Sequence, residues 1–216
     1  MIRTQIAGIS KFEDALAAIE AGADALGFTL RLPGGQHERL DDDGAREIVR
    51  LLPPFISKVL VTYLNVAAEA AELVRYLGVQ AIQFHGEVDV REVKWFRREA
   101  PGVKIIKSII VRDEQAVEDA RFWEEWADAL ITDTFDPETG KTGATGMIHD
   151  WSTSRRIVET VEVPVILAGG LKPDNVAEAV RAVRPWGVDV HTGVEREDGS
   201  FDPVKARQFV LEAESV

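Results

Sequence analysis

The stretch VPVILAGGLKPDNVAEAV, residues 163–180, decides the fold. Its first part is short, apolar and rich in Val and Ile. A strand covered on both faces must read this way, because neither side can carry a polar residue to water. Two glycines, Gly169 and Gly170, end the run, and Pro173 with Asp174 opens the helical pattern NVAEAVRAV. The stretch is one strand–turn–helix unit.

The same unit recurs along the chain. IRTQIA begins at residue 2, ALGFTL at 25, KVLVTYL at 58, AIQFH at 81, VKIIKSIIV at 103, ALITD at 129 and GVDVHTG at 187, and each is followed by a helical pattern. Ser10 and Glu13 form a capping-box pattern before DALAAIEAGA, Asn65 precedes VAAEAAELVRYLG, and Gly22 and Gly78 lie where helices should stop. With no composition break and no Ser/Gly-rich linker, eight alternations predict an α/β fold, a single (β/α)₈ TIM barrel over residues 1–216. A doubly wound sheet is the fallback, and eight successive units with short returns favour closure.

Composition bounds the function. The 216 residues are 45% hydrophobic, ample for one large core. An early apolar run with a basic front and a small-residue cleavage site is missing, and nothing approaches about eighteen uninterrupted apolar residues. The chain therefore reads as cytoplasmic, with no membrane partner. Cysteine is absent, which excludes disulfides, thiolate metal sites and cysteine nucleophiles. A net charge of −12 and a pI near 4.8 leave no basic footprint for a phosphate backbone, so nucleic acid is not an expected partner. No His/Asp/Glu spacing indicates a metal and no G-x-G-x-x-G follows the first strand, so neither a metal nor a dinucleotide cofactor is expected.

In such a barrel the chemistry sits at the carboxyl ends of the strands and in the loops that follow. That rule selects Ala7, the 29–41 loop, His85, Lys107, Asp133, the 134–149 loop, Gly169, Gly170, Asp189 and His191. Gly169 and Gly170 stand just before a helix, where bare N–H groups and a positively polarised terminus suit an anion. Thr192 and Gly193 on the adjacent strand add a hydroxyl and a second bare backbone, so the four are read as a phosphate cradle. The alternative is that the glycine pair only turns the chain.

At this point the sequence resembles the phosphoribosylanthranilate isomerase family of tryptophan biosynthesis, almost end to end. IAGISKFEDALAAIEAGADALGF is similar to the family's K-I-C-G-I opening and following helix. AIQFHGE is similar to its Q-x-H-G-E strand, LITDT to its L-L-D-T strand, and ILAGGLKPDNV with VDVHTGVE to its phosphate half. The resemblance implies an Amadori rearrangement: a phosphorylated ribosylamine ring opens and a proton leaves C2, giving an aminoketose. An acid must protonate the ring oxygen and a base must take the carbon-bound proton.

By that resemblance Asp133 is the acid, the alternative being a capping or loop-bonding aspartate. The family's base, a cysteine, corresponds to Ala7, and a methyl group takes no proton. Loss of a positioned base costs ~10²–10⁴ in rate. His191, unusual for the motif, is a candidate replacement on the neighbouring strand, its alternatives being phosphate contact or an outward side chain. Gln83 and His85 are pocket-shaping candidates, His85 having a purely structural role as its alternative. Lys107 bonds a substrate oxygen or pairs with Asp133. Asp189 orients sugar hydroxyls or the amine, or ties adjacent strands together. Arg39 is the candidate grip on the anthranilate carboxylate, with Arg31 competing. Further departures from the family pattern are Gln5 for a lysine and Met147 in the sixth loop, while His149 reads as a capping neighbour.

Three readings stay open: an authentic isomerase with a replaced cysteine, a paralogue using His191 and Asp133 on another sugar phosphate, or a silent sugar-phosphate binder. A scaffold using apolar helix faces such as VKWFRRE and RFWEEW is the bland alternative. Monomer and homodimer are both compatible.

Overall fold

The structure, a computed structural model, describes residues 2–32, 40–134 and 151–216. Within them, parallel strands β1 (Arg3–Ile6), β2 (Ala25–Leu30), β3 (Ser57–Thr62), β4 (Ala81–Phe84), β5 (Lys104–Val111), β6 (Ala129–Thr134), β7 (Val165–Leu167) and β8 (Gly187–Val190) close in sequence order into a barrel. The closing ladder pairs Gln5 with Asp189 and Ile6 with Val190. Eight helices alternate with these strands among the described residues: α1 (Phe12–Ala21), α2 (Asp42–Leu51), α3 (Ala67–Leu77), α4 (Val90–Glu99), α5 (Gln115–Glu124), α6 (Trp151–Thr160), α7 (Val176–Val183) and α8 (Pro203–Glu214).

Each strand divides its side chains between two cores. Val59, Val61, Ala81, Ile106, Ile131, Ile166 and Ala168 fill the barrel axis. Residues of the opposite phase, among them Leu26, Phe28, Ile82, Phe84, Ile105 and Leu130, pack outward against the helices. Strands β3 to β7 are thus apolar on both faces over most of their length, which is why their runs in the sequence do not alternate, while β1 and β8 turn Gln5 and Asp189 inward. The helix faces follow the same logic: Val93 and Phe96 of VKWFRRE are buried in the outer core.

Gly22 and Gly78 end α1 and α3 in the left-handed conformation, as expected. The helix starts differ. Lys11, not Ser10, precedes α1 and makes no side-chain cap, and Val66 rather than Asn65 precedes α3. Capping side chains occur instead at Asp41, Asp89 and Asp202, each accepting a backbone N–H of the first turn. At the amino-terminal mouth of the barrel, Ala25, Ala81, Ala129 and Gly187 are too small to meet, leaving a cavity of about 370 Å³ bordered by Val59, Ile106 and Ile166.

Candidate active site

The carboxyl ends of the strands gather polar groups over the apolar barrel floor. Asp133, at the end of β6, is only 6% exposed. Its Oδ1 accepts the Thr134 amide at 2.7 Å, and its Oδ2 lies 3.7 Å from His85 Nε2. Burial raises the Asp133 carboxyl above the ordinary carboxylate range, against the pull of His85, Thr134 and His191. His85 is fixed on its other side, where Nδ1 shares a 3.2 Å hydrogen bond with Ser108 Oγ, and its ring meets the edge of Tyr63 at 4.8 Å between centroids.

A second group lies across the β1–β8 seam. Gln5 Nε2 donates to Asp189 Oδ1 at 2.9 Å and to Gln83 Oε1 at 3.2 Å, so the glutamine ties β1 to β8 and β4 through the barrel interior. Burial, with the nearby Asp133 charge, pushes the Asp189 carboxyl up to about 7 in spite of the Gln5 bond and His191. Two buried carboxyls whose proton affinity is raised by burial are the kind of groups that mark sites of acid–base chemistry.

His191 follows β8, and its ring lies directly over Gly8: a Cβ built on that glycine would sit 2.1 Å from His191 Nε2. Nε2 is also 3.5 Å from Glu195 Oε1. His191 and Ala7 line one cavity of about 510 Å³ together with Gly8, Lys11, Glu195 and Arg196.

The four residues read as a phosphate cradle stand on the loops β7–α7 and β8–α8. Gly169 and Gly170 have φ of +93° and +65°, a left-handed pair that side chains resist. Among the described residues, neither glycine amide donates a backbone hydrogen bond. The Asn175 side chain fixes this loop, accepting from Lys172 N at 2.8 Å and donating to the Gly170 carbonyl at 3.0 Å. Gly193, in a 3₁₀ turn (Thr192–Val194), lies so close to the Leu171 carbonyl that a Cβ would be 2.0 Å from it, which brings the two loops into contact.

Lys107 faces away from this assembly, contrary to the sequence reading. Its neighbours in phase, Ile105 and Ile109, belong to the outer core, whereas Ile106 faces the axis. Its ammonium donates to the carbonyls of Phe84, Gly86 and Ser108 at 3.4, 3.1 and 2.7 Å and lies 5.4 Å from the Trp123 ring centroid. Burial lowers it to about 8. The ion pair with Asp133 is not formed. Arg31 is exposed and pairs with Asp42. Arg39, Met147 and His149 lie outside the described residues. Ser108, Tyr63 and Glu195, which the sequence does not single out, and Gln5, known there only as a departure from the family pattern, contact His85, His191 and Asp189. Ser108 shares the inward phase of Ile106, which the packing shows and the apolar run conceals; Glu195 carries no sequence signal of its own.

Against this geometry the comparisons with known proteins are specific. The family described as N-(5′-phosphoribosyl)anthranilate (PRA) isomerase matches residues 4–212. The chain belongs to that family. The N-(5′-phosphoribosyl)anthranilate isomerase 2 of Methanosarcina mazei is 41% identical over 214 residues, covering 99% of this chain and 95% of the relative. The Haloferax volcanii isomerase is 38% identical over 215 residues, with 100% and 94% covered. Among solved structures, the phosphoribosylanthranilate isomerase of Thermotoga maritima superposes with a TM-score of 0.86 at 32% identity over the full length of both chains. Another isomerase of this family, solved in complex with reduced 1-(o-carboxyphenylamino)-1-deoxyribulose 5-phosphate, gives a TM-score of 0.84 at 30% identity, again over the full length of both. No helix of the described residues is long and apolar enough to cross a membrane, and no group of three or more His, Cys, Asp or Glu among them could hold a metal ion.

Proposed function

We propose that this chain isomerises N-(5′-phosphoribosyl)anthranilate, the compound for which its relatives are named, to the corresponding aminoketose. The observation that carries this reading is the buried Asp133, whose carboxyl is pushed by burial above the ordinary carboxylate range, at the same end of the barrel as the left-handed Gly169–Gly170 turn. The phosphate takes the glycine amides with Thr192 and Gly193, which fixes the ribose across the barrel mouth. The amine lone pair then expels the ring oxygen: C1–O breaks, an iminium forms, and the Asp133 proton goes to the departing oxygen. Removal of the C2 proton sends its electron pair into a C1=C2 bond and neutralises the iminium. Protonation of the resulting enolamine at C1, with loss of the 2-hydroxyl proton, completes the aminoketose without any net redox change. His85 and Ser108 hold Asp133 in place, and Asp189 with Gln83 faces the sugar from the seam.

Ala7 gives a second reading its footing, because a methyl group beside the reacting carbon accepts no proton. In that reading the chain binds a ribose phosphate, or isomerises a different one. Growth rescue of a tryptophan auxotroph lacking this isomerase separates the two. Rescue supports the proposed activity; ribose 5-phosphate binding without rescue and without turnover of the anthranilate substrate supports the second. In the purified protein, Asp133→Asn should lower kcat by ~10²–10⁴, and unchanged kcat would remove Asp133 from the reaction.

A further inference from the structure

We propose that His191, oriented by Glu195, is the base that removes the C2 proton in this chain. The inference rests on the isomerase reading above and supplies the step for which Ala7 has no chemistry. The groups around the barrel mouth narrow the choice. Asp133 is taken by the ring oxygen in the reading above. Both nitrogens of His85 are occupied, Nδ1 by Ser108 and Nε2 by Asp133. Asp189 is bound by Gln5 inside the barrel, and Lys107 faces the helix layer. His191 differs from all of these. Its side chain is 33% exposed, it lines with Ala7 a cavity between the loops after β1 and β8, and its charge is felt by both Asp133 and Asp189.

The ring is held in a working orientation. Its Nε2–Cδ2 edge rests on Gly8, within 2.1 and 2.3 Å of where a Cβ would stand, so only a glycine admits it. Glu195 Oε1 stands 3.5 Å from Nε2, close enough to face a ring that takes up charge, while Nδ1 is not among the ring atoms nearest Gly8. Glu195 is itself anchored. It bridges to Phe201, its carbonyl accepts Lys205 Nζ at 2.7 Å, and Asp202 N bonds Val194 O at 2.8 Å behind it. A carboxylate holding one imidazole nitrogen while the other takes a proton is a recurrent arrangement for a general base. The step balances: the C2 proton passes to Nδ1, the imidazolium is stabilised by Glu195, and the C–H electron pair enters the C1=C2 bond.

The test compares the wild type with His191→Ala, Glu195→Gln, Ala7→Cys and the double variant Ala7→Cys/His191→Ala, on N-(5′-phosphoribosyl)anthranilate. His191→Ala should lose ~10²–10⁴ in kcat with little change in KM, and imidazole added to the buffer should restore part of it, which a structural role for the ring would not allow. The double variant should regain turnover through its thiolate. Glu195→Gln should lower kcat by about tenfold with KM unchanged, as a positioning residue would. Thermal melting and ribose 5-phosphate affinity report whether each variant is folded. If His191→Ala keeps kcat within about twofold of wild type while Asp133→Asn is inactive, the base lies elsewhere and only this inference fails. A folded wild type with no turnover overturns this inference and the isomerase reading together.

Discussion

Asp189 shows how one side chain can set a pH dependence. Its carboxyl, buried beside Asp133, is pushed up to about 7 from an unfolded value of 3.8. A raised acid contributes its full stability below the unfolded value and loses it as pH climbs through the folded one, so ionised Asp189 burdens the native state above pH 7. Asp189→Asn keeps an oxygen for Gln5 and carries no charge. Its unfolding free energy relative to wild type, from urea melts, should improve by several kcal/mol between pH 4 and pH 8, since each pH step of one between the unfolded and folded carboxyl values contributes ~1.4 kcal/mol. Equal differences at the two pH values would mean the carboxyl ionises freely. At this scale the sequence was only partly legible. Asp133, His85, Asp189 and His191 do lie at or just beyond the carboxyl ends of their strands, as motif position suggests, whereas Lys107 turns to the helix layer, a phase that a strand apolar on both faces hides. Only the packing of Ile105 and Ile109 outward and Ile106 inward reveals that Ser108, not Lys107, meets the cavity.

The loops after β7 and β8 behave as one unit because their backbones touch at Gly193 and Leu171. Gly193→Ala would thrust its Cβ to 2.0 Å from the Leu171 carbonyl and 3.0 Å from Val190 Cγ2. Backbone cannot retreat as a flexible side chain can, so stability should fall by about 1–3 kcal/mol. Ribose 5-phosphate affinity should fall with it, read by calorimetry; unchanged affinity would separate the cradle from this contact. The existence and order of the elements were legible from the repeated strand–helix units. Their starts were less so. The first turn of α1 does without a side-chain cap at Lys11, since Ile9 and the Ala15–Ala18 face hold the helix by burial, and tertiary packing overrides local capping preference.

Taken as a whole, the barrel separates its working end from its stabilising end. The small residues that leave the cavity of about 370 Å³ lie at the mouth opposite Asp133. Ala81→Val should fill part of that space and raise unfolding free energy by about 0.5–2 kcal/mol with kcat unchanged; a lower urea midpoint would show that the lining has no room to give. Closure has a kinetic side as well. The ladder that seals the ring joins residues 184 apart in the chain, as Gln5 and Asp189 are. While the ribosome is still adding residues, β1 therefore waits with one flank unpaired until β8 emerges. Ala7 and His191 come to line one cavity only across that last join, so a nascent chain stalled before residue 187 carries a sticky edge without that cavity, and quality control meets an aggregation hazard.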